Sequence, residues 1–301
     1  MTIALLAVVF LAVACNAGCR SAQLPAKAKT TTGATQSRVE AVRLLIELVL
    51  LDNVLYDTRA EESLEKLGDD EVPQEIIATL RTGRPGSRDR LVHILSYYLD
   101  RQTIEFLSEL FKTETETKVR IQVLETASHG LNDSTLKPLI MKMLKEGALD
   151  DNAHIRGEAA YAIGKSGDKE NVDFLKERLR LEKDEYAARS FKIGLCFLGD
   201  ATYLSEISSV ALKPDSHDEY WLTIRAIRAL GANGSKQAVR SLFKIMEDLG
   251  FPEIGTEHYI STEELIYLEV IKALHRATGQ VLAQGPKWKE WWEKNKSLYE
   301  E

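Results

Sequence analysis

Cysteine is scarce. The 301 residues hold only Cys15, Cys19 and Cys196, and two of these fall within the first nineteen positions. One internal cysteine cannot support a disulfide framework, so the body depends on its core. Positive charge is also in deficit. Lys and Arg number 39 against 46 Asp and Glu, a formal net charge of −7. A nucleic-acid partner is excluded on that balance, because displacing counterions from phosphates needs a basic face. Long apolar runs are missing too. Residues 3–14 form an unbroken apolar run of twelve, and Glu47 breaks the run at 44–51. Both fall short of the roughly 20 residues a spanning helix needs. The six histidines, His93, His129, His154, His217, His258 and His275, include no pair spaced by three or four. No P-loop, dinucleotide fingerprint, nucleophile elbow or zinc-like Cys/His spacing occurs. Asp69-Asp70-Glu71 and Asp150-Asp151-Asn152 precede helices and lack the spaced ligands of a calcium loop. The expectation is a protein with no catalytic residues, no metal and no cofactor.

What is present begins at the amino end. Residues 3–14 have the length of a signal-peptide core, and small residues and a cysteine follow. Leu11-Ala12-Val13-Ala14-Cys15 resembles the lipobox of bacterial lipoproteins, which implies cleavage before Cys15 and a lipid on its thiol. Ala17-Gly18-Cys19 is the alternative, with Asn16 where an apolar residue is usual. The chain departs from the lipobox pattern at Ala12, where Leu is common, and has no Lys or Arg before the apolar run. Residues 15–37, rich in Ala, Thr, Ser, Gln and Lys, read as a flexible tether with Leu24 as the one large apolar residue after Arg20.

Residues 38–301 read as helix almost throughout, with apolar positions at i, i+3, i+4 and i+7. The chain also resembles itself. Gly68-Asp69, Leu99-Asp100, Leu131-Asn132, Gly167-Asp168, Gly199-Asp200 and Gly234-Ser235 recur at gaps of 31, 32, 36, 32 and 35 residues. Glycine suits a helix end that turns left-handed, and Asp, Asn or Ser suits the N-cap of the next helix. Six helical hairpins follow, and a period of this length marks an α-solenoid. The second helices carry Ile104 and Leu107, Leu136 and Leu139, Val172 and Leu175, Leu204 and Ile207, Val239 and Leu242. Small residues mark the first helices, where Cys196 takes the slot of Gly164 and Gly231 and reads as a buried, inert thiol.

Ile155-Arg156-Gly157-Glu158-Ala159-Ala160-Tyr161-Ala162-Ile163-Gly164, then Gly167-Asp168 and Val172, resembles the short HEAT-like repeat of phycobilisome lyases. Its hallmark is an Arg opening the first helix. Arg88 and Arg120 fall in phase with Arg156, and Arg59, Arg189 and Arg225 fall one or two residues later. The resemblance spans about residues 56–280 and implies an all-α solenoid of six to seven two-helix repeats, not a function. HEAT-repeat hydroxylases hold two irons on repeated His-Glu steps, and this chain has no such step. An export signal sits badly with a bilin lyase of photosynthetic cells.

The two ends read as caps. Residues 38–55 form an apolar-rich first helix. Trp288, Trp291 and Trp292 share one face of the last helix, placed to close the core or to serve as an aromatic platform. Residues 251–260 are an insertion, unusually apolar at Phe251 and Tyr259. Together these features predict a membrane-anchored scaffold or adaptor of the bacterial envelope that binds a protein partner. The alternative is an accessory factor to an envelope enzyme or cofactor-attaching lyase. The partner-binding residues expected are Glu105, Lys137, Asp173 and Arg240, each one residue past a second-helix anchor, with Phe251 and Tyr259 of the insertion.

Overall fold

A computed structural model describes residues 32–51, 57–67, 71–83, 85–212, 217–251, 262–282 and 284–300. The expected signal peptide, Cys15 and Tyr259 lie outside these residues. The protein is an all-α solenoid, as the helical periodicity predicts, and the described residues contain no strand. None of their helices is long and apolar enough to cross a membrane. The chain divides into two compact units, residues 1–127 and 128–301.

The first unit opens with α1 (Thr32–Leu50), followed by α2 (Asp57–Leu67), α3 (Glu71–Arg81), α4 (Arg88–Ile94), α5 (Arg101–Thr113) and α6 (Thr117–Ser128). α1 starts inside the stretch expected to be tether. Val42, Ile46 and Val49 of this helix are fully buried. α1 packs against α2, α3 and α4, the position of a capping helix. Arg43 on α1 grips Glu75 on α3 with both prongs, at 2.7 and 3.0 Å. α4 is short and tightens into a 3-10 turn at Leu95–Tyr97. Asp100 then caps α5 as its sequence position predicts, accepting from the Thr103 amide at 2.7 Å. Ile104 and Leu107 join Leu91, Val92 and Val123 in the core.

The second unit contains α7 (Lys137–Gly147), α8 (Ala153–Lys165), α9 (Val172–Leu181), α10 (Glu185–Phe197), α11 (Leu204–Leu212), α12 (His217–Asn233), α13 (Lys236–Asp248), α14 (Thr262–Thr278) and α15 (Gly285–Asn295). The first helices of its hairpins, α8, α10, α12 and α14, lie side by side because glycine and alanine let their backbones meet. A methyl on Gly164 would sit 2.4 Å from the Gly194 Cα, and one on Gly231 would sit 2.6 Å from the Ala273 Cα. Cys196 is buried in this seam, and burial pushes its thiol up to about 12. Gly167, Gly199 and Gly234 end their helices at φ of +73°, +87° and +63°, where a Cβ would be strained.

Only some of the expected caps form. Ser235 caps α13 by accepting from the Ala238 amide at 3.2 Å. Asp168 does not cap, because a 3-10 turn intervenes before α9 and its carboxylate is taken by Lys137 at 2.7 Å. Asn132 closes a 3-10 turn, and Asp133 accepts from the Thr135 amide at 2.7 Å in the turn before α7, whose N-cap Leu136 makes no side-chain cap. Asp200 holds the Thr202 amide at 2.8 Å in a local turn and pairs with Lys176. Asp69 lies outside the described residues.

The tryptophan helix closes the unit's core. Trp288 is fully buried and donates to the Leu282 carbonyl at 2.9 Å. Trp292 stacks on Phe243 at a ring separation of 4.1 Å and an angle of 10°. These rings face their own helices, which is the capping arrangement.

Candidate interaction surface

The residues expected to bind a partner are dispersed. Glu105 is exposed on α5 in the first unit, 3.7 Å from Arg101 one turn away. Asp173 is exposed on the first turn of α9. Lys137 and Arg240 already have partners. The first holds Asp168, and the second donates to the backbone carbonyl of Tyr299, tying α13 to the carboxyl end. Lys236 reinforces that tie through the Glu300 carbonyl at 3.3 Å. Phe251 is half-buried against the second unit's core at φ +53°, with the Lys289 ammonium 6.0 Å from its ring centre.

Three arrangements escape a reading of single positions. The first is a repeated clamp. Arg88 reaches Glu114 at 2.7 Å, and Arg156 reaches Glu182 at 2.7 and 2.8 Å, both across 26 residues. In each case the carboxylate ends a second helix and also accepts the next two backbone amides. The Arg156 guanidinium and two amides hold Glu182 down at about 2, against the effect of burial. Burial alone would raise the Glu114 carboxyl, but two amides and Arg88 hold it below the ordinary range. Arg88 and Arg156 are therefore structural staples.

The second arrangement is a charge ladder across first helices, buried at its Arg225–Glu158 rung. Arg225 on α12 donates to Glu158 on α8 and lies over the Tyr161 ring, 4.4 Å from its centre. One turn on, Arg228 donates to Glu269 on α14 at 2.7 Å, and Lys272 meets the same carboxylate at 2.9 Å. Arg225 and Arg189 fall near the repeat-Arg phase but perform other work. Arg189 pairs with Glu185 in its own helix.

The third is a groove on the outward face of α7. Pro138, Met141, Lys142, Lys145, Glu146 and Leu149 line a shallow depression of about 430 Å³ that is largely open to solvent. Leu149 is 55% exposed there. Spacings of three, four and seven place these side chains on one helical face. The Lys145 ammonium lies 5.5 Å from the centre of the Phe174 ring, so α9 continues the surface. Helical spacing brings Arg178 and Leu181 to the Phe174 face, with Leu181 44% exposed. Among the described residues, no group of three or more His, Cys, Asp or Glu is placed to hold a metal ion.

A family model described as HEAT repeats matches residues 104–196. No curated protein matches the chain. Among solved structures, the chain is similar to the complex of CpcE and CpcF of phycocyanin lyase from a Nostoc species. The identity is 14%, covering 85% of this chain and 100% of that one, at a TM-score of 0.46. Human deoxyhypusine hydroxylase in complex with glycerol aligns at 14% identity over 82% of this chain and 99% of its own, with a TM-score of 0.33. YibA from Escherichia coli aligns at 17% identity over 84% and 100%, with a TM-score of 0.30.

Proposed function

We propose that the protein is a scaffold or adaptor, held to a membrane of the bacterial envelope by a lipid on Cys15, that binds a protein partner and catalyses nothing itself. The observation that carries this reading is the groove of α7. There a second helix presents Met141, Lys142, Lys145 and Leu149 outward from a repeat whose inward residues, Ile140, Met143 and Leu144, are already buried. A helix that keeps apolar side chains such as Met141 and Leu149 outside its buried face has packing capacity beyond its own core. The anchor is supported by the run at residues 3–14 and the small residues before Cys15.

The test is crosslinking and affinity purification from intact cells, comparing the wild type with Cys15→Ala. The wild type is expected to capture a defined protein from the membrane fraction. Cys15→Ala is expected to leave that fraction. If the variant stays membrane-bound, the lipid site is wrong, and if nothing is crosslinked from any second helix, so is the adaptor.

A further inference from the structure

We infer that the α7–α9 groove takes an acidic amphipathic helix of a protein partner, with apolar side chains over Met141 and Leu149 and carboxylates over Lys142, Lys145 and Arg178. This deepens the adaptor reading and rests on it.

Two observations select this occupant. The first is the apolar content of the groove. Met141 and Phe174 are half-buried, and Leu149 and Leu181 are largely open, so the surface offers a stripe two helical turns long on each of two neighbouring helices. A helix laid in such a groove anchors through residues at i, i+3, i+4 and i+7. The second is charge. The neighbouring cations are neutralised, Lys137 by Asp168 and Lys176 by Asp200. Lys142, Lys145 and Arg178 form no ion pair among the described residues. Glu146 is the single carboxylate among the six residues lining the groove, and on α9 the carboxylate nearest in spacing, Glu177 three residues past Phe174, is paired with Arg180. In a chain of net charge −7 this is a local basic spot, which orients an acidic partner at long range and repels a basic one. The same overall charge disfavours broad adsorption to an anionic lipid surface, which would meet the acidic remainder of the molecule.

The probe is a fluorescein-labelled peptide of about 18 residues, five helical turns, with Leu at i, i+3, i+4 and i+7 and Glu or Asp elsewhere. Fluorescence anisotropy reads its binding to the full chain in detergent. Binding is expected to weaken at least about tenfold in Lys142→Glu/Lys145→Glu and in Leu149→Asp. It should weaken with added salt and stay unchanged in Lys66→Glu, an exposed cation of the first unit. Circular dichroism melts show whether each variant is folded, and a basic peptide with the same Leu stripe serves as the opposite-charge probe. Equal binding to the double variant overturns the proposal, as does tighter binding of the basic peptide. Sedimentation with phosphatidylglycerol vesicles in place of peptide binding would also overturn it and reassign the face to lipid. A photo-crosslinker at position 149 separates the two readings. A protein captured in cells from other second-helix positions but not from 149 sinks the groove and leaves the adaptor. Capture from none of them sinks both.

Discussion

Arg156 and Glu182 form a two-pronged ion pair across 26 residues, with the Arg side chain 19% exposed and the Glu side chain 5%. The same guanidinium donates to the carbonyls of Asp150 and Asp151, both at 2.9 Å. One arginine thus fastens the turn before its own helix to the end of the next one. Such a pair holds its geometry through several hydrogen bonds at once, unlike a lone surface bridge.

Glu182→Gln is expected to destabilise the protein by ~2–3 kcal/mol at neutral pH, since Arg156 loses its charged partner. The sign with pH follows from the depressed carboxyl, held at about 2 against 4.5 ordinarily. Its stabilisation is complete above the ordinary value and fades as pH falls from about 4.5 towards 2. Urea unfolding of wild type and variant at pH 7, 4 and 3 checks this, and a gap that widens on acidification would contradict it.

Arg225→Met should cost about 3–5 kcal/mol, because Glu158, only 5% exposed, would be left buried without the cation beside it. The double variant Arg225→Met/Glu158→Gln is expected to recover most of that loss, since no buried charge is then left uncompensated. A thermal or chemical denaturation cycle over the four proteins reads the coupling. Strict additivity would show that the two side chains act independently.

The seam of first helices predicts intolerance to a single methyl. Gly164→Ala would drive a Cβ to 2.4 Å from the Gly194 Cα, with backbone rather than a flexible side chain as the obstacle. The expected loss is about 1–3 kcal/mol. Gly83→Ala offers the contrast, with nothing within 4 Å of its added carbon but a φ of +67°, so its cost comes from backbone strain alone.

Cys196 should resist thiol reagents in the native state. Its thiol is buried and pushed up to about 12, leaving almost no thiolate at neutral pH. In a Cys15→Ala/Cys19→Ala background, labelling by a chromogenic disulfide is expected only on unfolding. Rapid labelling of the folded protein would place Cys196 somewhere other than the helix seam.

The helices and their hairpin order were legible because their causes are local. Apolar spacing of three and four, a left-handed glycine at Gly167, Gly199 and Gly234, and the cap residues Asp100 and Ser235 all act within a few positions of themselves. The same locality explains the misses among the caps. Asp168 has the right chemistry and phase, but whether it caps depended on a 3-10 turn and on Lys137, 31 residues away in sequence. The expected partner-binding set was read from register alone. Register could place Lys137 and Arg240 on their helices but could not show that Asp168 and the Tyr299 carbonyl already held them. The groove of α7 was also within reach of a sequence reading, since Met141, Lys142, Lys145 and Leu149 share a helical face. Register alone does not distinguish that face from the residue after each core anchor.

The sequence by itself determined that this chain would fold as helical hairpins, because short-range hydrogen bonding and amphipathic period are written in neighbouring residues. Tertiary structure decided which charges are paired and which are not. Arg225 meets Glu158 across 67 residues, and Arg88 and Arg156 clamp across 26, while Lys142 and Arg178 are left without an ion pair among the described residues. The energy of a charge depends on what the stacking of repeats brings beside it, and that distance is set only when the helices pack.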